Sequence, residues 1–257
     1  DAMRSMKDVA VFLSIGTLVS LTSCQSASSP SAQYVHPGPP RYEIECTVSA
    51  ACDESVALLV GLSAPEEPMR CTAALIGKRA AITAGHCVAS ELSTGGTCHG
   101  VWLGFAGGEG RSAEWVGCRR IASVMTSSPA LLSPDYAIVE LAREVDRAPY
   151  PIAREPVSSG QVVRMVSVTA DRFYDRLHQV RSRRCVVDEN GSLAPWSPHA
   201  PPSIRVLSSC PVGAGSSGAP VLDHEGRMRG LIHGGGPRYF AFGLMTPLPE
   251  PVDREDG

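Results

Sequence analysis

Apolar residues in this chain come in short runs, each closed by glycine, proline or a polar cluster. Twelve such runs stand out, at residues 56–62, 71–76, 80–83, 100–105, 121–125, 136–141, 161–168, 185–187, 204–207, 219–222, 228–233 and 240–245. A core-packed helix would need apolar positions recurring every three or four residues over ten or more, and few stretches show that. Runs this short are strand length, so the chain is expected to be all-β, as a sandwich or as barrels. Abundant turn formers agree, with 25 Gly and 21 Pro among 257 residues. Only 19% of residues are charged, which separates the chain from disordered sequences, and its length suffices to bury a large core. Residues 143–159, with three prolines and weak periodicity, join two halves of similar size.

The start of the chain has a different character. Arg4 and Lys7 precede an apolar stretch at residues 9–21, too short to span a bilayer comfortably. It ends in Leu21-Thr22-Ser23-Cys24, which resembles the lipobox of bacterial lipoproteins; an ordinary signal peptide with a nearby cysteine is the alternative. The expectation is a signal peptide at 1–23, a lipid-modified Cys24, a Ser/Pro-rich tether over 24–41 and a folded domain over 42–257. The first half of that domain would run over about 42–145 and the second over about 155–246. Such a protein is exported and held at the bacterial cell envelope. The address is the outer membrane if the cell is Gram-negative, because Gln25 and not Asp follows the cysteine.

Nine cysteines are many for a reducing compartment and ordinary for an exported chain. With Cys24 set aside, eight remain, enough for four disulfides in any of 105 connectivities. Sequence proximity and hairpin logic suggest Cys46 with Cys52, Cys98 with Cys118, and Cys185 with Cys210. No C-x-x-C pair exists, so a zinc site is not expected, and no cofactor is implied.

Three segments carry chemistry. Thr83-Ala84-Gly85-His86-Cys87 follows an apolar strand, Asp135 opens the run 136–141, and Gly215-Ser216-Ser217-Gly218-Ala219-Pro220-Val221 is a glycine-flanked serine loop. A serine hydroxyl is a poor nucleophile unless an imidazole takes its proton. The imidazole in turn needs a buried carboxylate to hold its tautomer, and the developing oxyanion needs N–H donors. The order His, Asp, Ser and the motifs TAGHC, DYAIVEL and GSSGAPV resemble those of the trypsin-like (chymotrypsin-fold) serine proteases, over about residues 56–246. The bacterial members, glutamyl endopeptidases included, are the nearest in flavour.

The resemblance implies two six-stranded antiparallel β-barrels with the active site in the cleft between them. It implies His86 as general base and acid, Asp135 as orienting carboxylate, Ser217 as nucleophile, and the Gly215 and Ser217 N–H groups as the oxyanion hole. It also implies a Cys71–Cys87 disulfide behind the histidine. The implied activity is that of a serine endopeptidase on protein or peptide substrates, acting as a monomer. Two rivals are weighed. A catalytically inactive, protease-like binding protein would keep the fold without the chemistry. The α/β-hydrolase elbow is disfavoured because Ala219 and Pro220 stand where it requires glycine and a helix.

The chain also departs from the family. Ser216 precedes the nucleophile where animal trypsins have an aspartate that pairs with a newly cut N-terminus, so activation by such a cut is not expected. Substrate-pocket positions fall on Pro211, Val212, His233, Gly235 and Gly243. Pro211 replaces the acid of trypsin, and the two glycines suit an open pocket for an apolar side chain. An acidic preference stays open if His233, assisted by Arg238, faces the pocket; the spacing puts Ile232 at that position and His233 beside the aspartate.

A net charge of −3 argues against nucleic acid as partner. Arg164, Arg172, Arg176, Arg181, Arg183 and Arg184 form a local basic cluster, read as a solvated strand face or as a contact with anionic lipid. His36, His99, His178, His199 and His224 read as surface or loop residues.

Overall fold

The computed structural model describes residues 44–46, 52–62, 68–88, 94–107, 113–126, 134–153, 155, 157–170, 177–188, 204–210, 212–235 and 242–248. Expectations for the signal peptide, Cys24, the tether, Pro211 and Arg238 lie outside these residues.

The first half closes into an antiparallel barrel of six strands: β2 (Val56–Leu62), β3 (Pro68–Gly77), β4 (Ala80–Thr83), β5 (Trp102–Phe105), β6 (Glu114–Met125) and β7 (Tyr136–Leu141), in the order β2-β3-β4-β7-β6-β5. Alternation decides which side chains enter. In β7, Ala137, Val139 and Leu141 are buried and the residues between them are partly exposed. Ala57, Ala73, Ala74 and Ala81 are essentially inaccessible, as are Leu58, Leu75 and Phe105, so both faces of these strands are covered.

The second half also closes on itself. Strands β8 (Val162–Ala170), β9 (Leu177–Val187), β10 (Arg205–Ser208), β11 (Pro220–Leu222), β12 (Met228–Gly235) and β13 (Phe242–Pro247) form the ring β8-β9-β10-β13-β12-β11. The expected pair of six-stranded antiparallel barrels is therefore present. Among the described residues, the helical content is one 3-10 turn, Gly85–Cys87.

Three features differ from the sequence reading. Strand β6 begins at Glu114, because one long bent strand serves two neighbours. Its first part pairs with β5 and its remainder with β7, through two register shifts. Strand β9 likewise extends back through the arginine-rich stretch, where Arg181 and Arg184 are exposed. Finally β1 (Ile44–Cys46), placed by the sequence with the first barrel, pairs in parallel with β9 of the second. Strand β10 covers β9 only at Val186 and Val187, so the β9 edge at Leu177–Gln179 is open to it. The Gln179 side chain holds the following segment, accepting from Asp53 N–H at 2.6 Å and donating to Asp53 O at 3.0 Å.

The barrels share apolar surface. Val166, Val168, Leu222, Met228 and Leu231 of the second belong to the same buried cluster as the core of the first. A separate cluster around Met165, Leu207, Val221 and Met245 fills the second barrel's interior. The connection between them bonds to both, with Tyr150 N–H on Leu75 O and Ala153 N–H on Met228 O.

Candidate active site

Strand pairing brings the first two candidate residues together. Thr83 of β4 lies opposite Ala137 of β7, so continuing both strands outward sets the Gly85–His86 turn beside Asp135. Asp135 is wholly buried. One carboxylate oxygen accepts the His86 backbone N–H at 3.0 Å and the other meets His86 Nδ1 at 2.5 Å. These two contacts hold the carboxylate and the ring in a fixed relation. The opposite ring nitrogen, Nε2, lies 3.0 Å from Ser217 Oγ. The His86 side chain is 40% exposed, so a substrate can reach this pair. With a proton on Nδ1 shared with Asp135, Nε2 would be left to accept from the serine hydroxyl.

Cys87, next to His86, is joined to Cys71 of β3, with Cα atoms 6.1 Å apart. The bond closes the β3–β4 hairpin beneath the histidine turn. His86 lies close to these two sulfurs, but disulfide sulfurs offer no thiolate to a metal ion. Disulfides Cys46–Cys52, Cys98–Cys118 and Cys185–Cys210 are also present.

The serine loop is tied by its own backbone. Ser216 N–H donates to Gly213 O at 3.0 Å, Ala219 N–H to Ser216 O at 2.9 Å and Gly218 N–H to Ile232 O at 2.6 Å. Ser216, the residue where trypsins carry an acid, is buried, and its hydroxyl accepts Gly213 N–H at 3.1 Å. Among the described residues, no group accepts from the N–H of Gly215 or of Ser217. Gly215 has φ +93°, and a Cβ there would stand 2.6 Å from Val168 O. Glycine is the residue that lets the loop run this close to β8 in a left-handed conformation.

Gly235 and Gly243 are direct partners across β12 and β13, two facing positions without side chains. Val212 is half-buried at the start of the serine loop. His233 is buried, with Nδ1 2.9 Å from Thr246 Oγ1, and Ile232 packs in the second barrel's core.

Two residues unmarked by any motif touch this machinery. Thr72 of β3 binds the serine loop, and Thr246 of β13 accepts the Asp135 N–H at 3.2 Å. Both are wholly buried, each between apolar neighbours in its strand. A hydroxyl in a core-facing position was the available signal, because a buried hydroxyl needs a partner.

Residues 71–231 match the family model of the trypsin-like peptidase domain. No curated protein matches the sequence. Among solved structures, the scabies mite inactivated protease paralogue SMIPP-S-I1 is similar with a TM-score of 0.57 and 15% identity, over 76% of this chain and 89% of that one. A protein named GrC has a TM-score of 0.59 and 15% identity, over 76% and 88%. A second scabies mite inactivated paralogue, SMIPP-S-D1, has 0.57 and 11%, over 76% and 87%. Identities this low speak for the fold alone.

Proposed function

The chain belongs to the trypsin-like peptidase domain family, and we propose that it is an active serine endopeptidase. One observation carries this reading: the His86 ring is engaged by buried Asp135 on one nitrogen and by Ser217 on the other. Ser217 Oγ attacks the scissile carbonyl as its proton passes to His86 Nε2. The tetrahedral oxyanion forms against the N–H groups of Gly215 and Ser217. Collapse breaks the C–N bond, and His86 returns the proton to the departing amine. Water then attacks the acyl-enzyme, giving a proton to His86, which passes it to Ser217 Oγ as the acid product leaves.

Two details extend the proposal. The facing Gly235 and Gly243 favour an apolar side chain before the scissile bond. The self-bonded Ser216 removes the need for a newly cut N-terminus to shape the loop. Cys24 is proposed as the lipid attachment site holding the enzyme at the cell envelope. Loss of the protein from the membrane fraction is expected in Cys24→Ala, and unchanged retention refutes the anchor.

The deciding experiment treats the domain from Tyr42 onward with a fluorophosphonate, then profiles it on a peptide library varied before the cut. Wild type should label and Ser217→Ala should not, with turnover falling roughly a thousandfold or more. A folded wild type that neither labels nor cleaves would establish the non-catalytic binding protein instead. Cleavage after Arg or Lys refutes the apolar pocket, as does a strict preference for Asp or Glu.

A further inference from the structure

We propose that Thr72 and Thr246 are reciprocal positioning residues, each reaching from its own barrel to hold the catalytic segment of the other; the inference rests on the endopeptidase reading above. Thr72 is on the first barrel and grips the nucleophile loop of the second. Its hydroxyl donates to Gly215 O at 2.6 Å and accepts from Val168 N–H at 2.9 Å. Those directions are unambiguous, because a carbonyl only accepts and an amide N–H only donates. The Thr72 N–H donates to Ser217 O at 2.7 Å, and its carbonyl accepts the Thr83 hydroxyl at 2.7 Å. Every polar atom of this buried residue is thus used, and two of the four bonds end on the serine loop.

The C=O and N–H of a trans peptide point in opposite directions, so a contact at either end fixes the whole plane. The 215–216 plane is held at its oxygen by Thr72 and at its nitrogen by Gly213 O. The 217–218 plane is held at its oxygen by Thr72 N–H and at its nitrogen by Ile232 O. The plane between them has its oxygen taken by Ala219 N–H, so the Ser217 N–H must point the other way, without a protein acceptor among the described residues. Thr72 therefore supplies two of the contacts that stop the loop from turning this donor away from an oxyanion.

Thr246 does the converse. It lies on the second barrel, and its hydroxyl oxygen accepts the backbone N–H of Asp135 at the mouth of the first. Buried His233 meets the same oxygen through Nδ1 at 2.9 Å and fixes the hydroxyl's rotamer. Asp135 orients His86, and Thr72 orients the loop bearing Ser217. The two threonines thus set the His86–Ser217 distance across the boundary between the barrels.

The test compares Thr72→Val and Thr246→Val with Thr72→Ser and Thr246→Ser. Valine keeps the branched shape and removes the hydroxyl; serine keeps the hydroxyl. Each valine variant should lose roughly tenfold or more in kcat with KM within about twofold, as expected for misplaced reacting groups. Thr72→Val should also weaken a peptide aldehyde, whose adduct needs the hole, more than it weakens the product peptide. The serine variants should recover most of the loss. Folded valine variants with wild-type kcat and aldehyde affinity overturn the inference, as does a loss that serine fails to restore. Amide hydrogen exchange on Ser217→Ala gives a measurement independent of turnover. Slow exchange at Thr72, Val168 and Asp135 supports the contacts, and fast exchange at any of them overturns its latch. An unlabelled wild type would refute the endopeptidase reading while leaving the exchange result to judge the threonines.

Discussion

The two barrels hold their shares of the site in different ways. In the first, His86 and Asp135 stand at the ends of neighbouring strands, bonded to each other and braced by Cys71–Cys87. In the second, Ser217 rides on a loop tied partly to itself and partly to Thr72 of the other barrel. The His86–Asp135 pair is bonded within one barrel and takes a single further contact, from Thr246, across the boundary, whereas the Ser217 loop takes two of its ties from Thr72 of the other barrel. Stability and activity should therefore respond differently to changes at the boundary and changes inside a barrel.

The largest effect is expected at the boundary. A Cβ on Gly218 would lie 2.0 Å from Thr72 O and 2.3 Å from Thr83 Oγ1. Gly218→Ala should cost about 4 kcal/mol or more and slow fluorophosphonate labelling sharply. Gly95 has the same φ of +84° with open space around it, so Gly95→Ala isolates the backbone cost, about 1 kcal/mol. Similar urea midpoints for the two variants would show that the barrels separate cheaply there.

Within the first barrel, replacing Cys71 and Cys87 by serine opens a bond spanning 16 residues and should cost about 3 kcal/mol. Labelling of Ser217 should slow as the His86 turn loosens. A lower melting temperature with unchanged labelling would mean that the Asp135 contacts suffice to hold the imidazole.

The smallest effect of the three is expected at Asp223, in the β11–β12 turn of the second barrel. Burial alone would raise its pKa. The Arg227 N–H and the guanidinium groups of Arg227 and Arg229 outweigh that and hold the carboxyl below its ordinary range. Its contribution is thus present above the unfolded value, near pH 4, and is lost as pH falls through the folded value. Asp223→Asn should cost about 2 kcal/mol at neutral pH, flatten the acid limb of the stability profile and leave kcat unchanged. A variant as stable as wild type at neutral pH, with the same acid limb, would remove Asp223 from the accounting of the second barrel.

Much of the fold was legible because β structure writes itself locally. The runs at 56–62, 80–83 and 136–141 coincide with β2, β4 and β7. Arg119 and Arg120 interrupt the apolar pattern of β6, so the run at 121–125 covers only its last part. In the structure both pair with Glu140 on the adjacent strand, and the Arg120 hydrogen bond holds the Glu140 pKa down despite the cost of burial. Strand β1 escaped notice because three residues carry no usable period, and its partner lies more than a hundred residues away. The site shows the same division. His86, Asp135 and Ser217 were named from short motifs, and the structure brings them within hydrogen-bond reach.

Where most strands form, which face of each is apolar and which residue types could act as acid, base and nucleophile are all written locally in the chain. Those properties depend on a residue and its near neighbours. What the buried polar groups of Thr72 and Thr246 do depends on the packing of one barrel against the other. Thr72 meets Gly215 across 143 residues of chain, and Asp135 meets Thr246 across 111. A hydroxyl in an apolar strand has no local preference that names its partner. Its cost of burial is offset only when another barrel supplies the matching donor or acceptor, and that match exists in three dimensions alone.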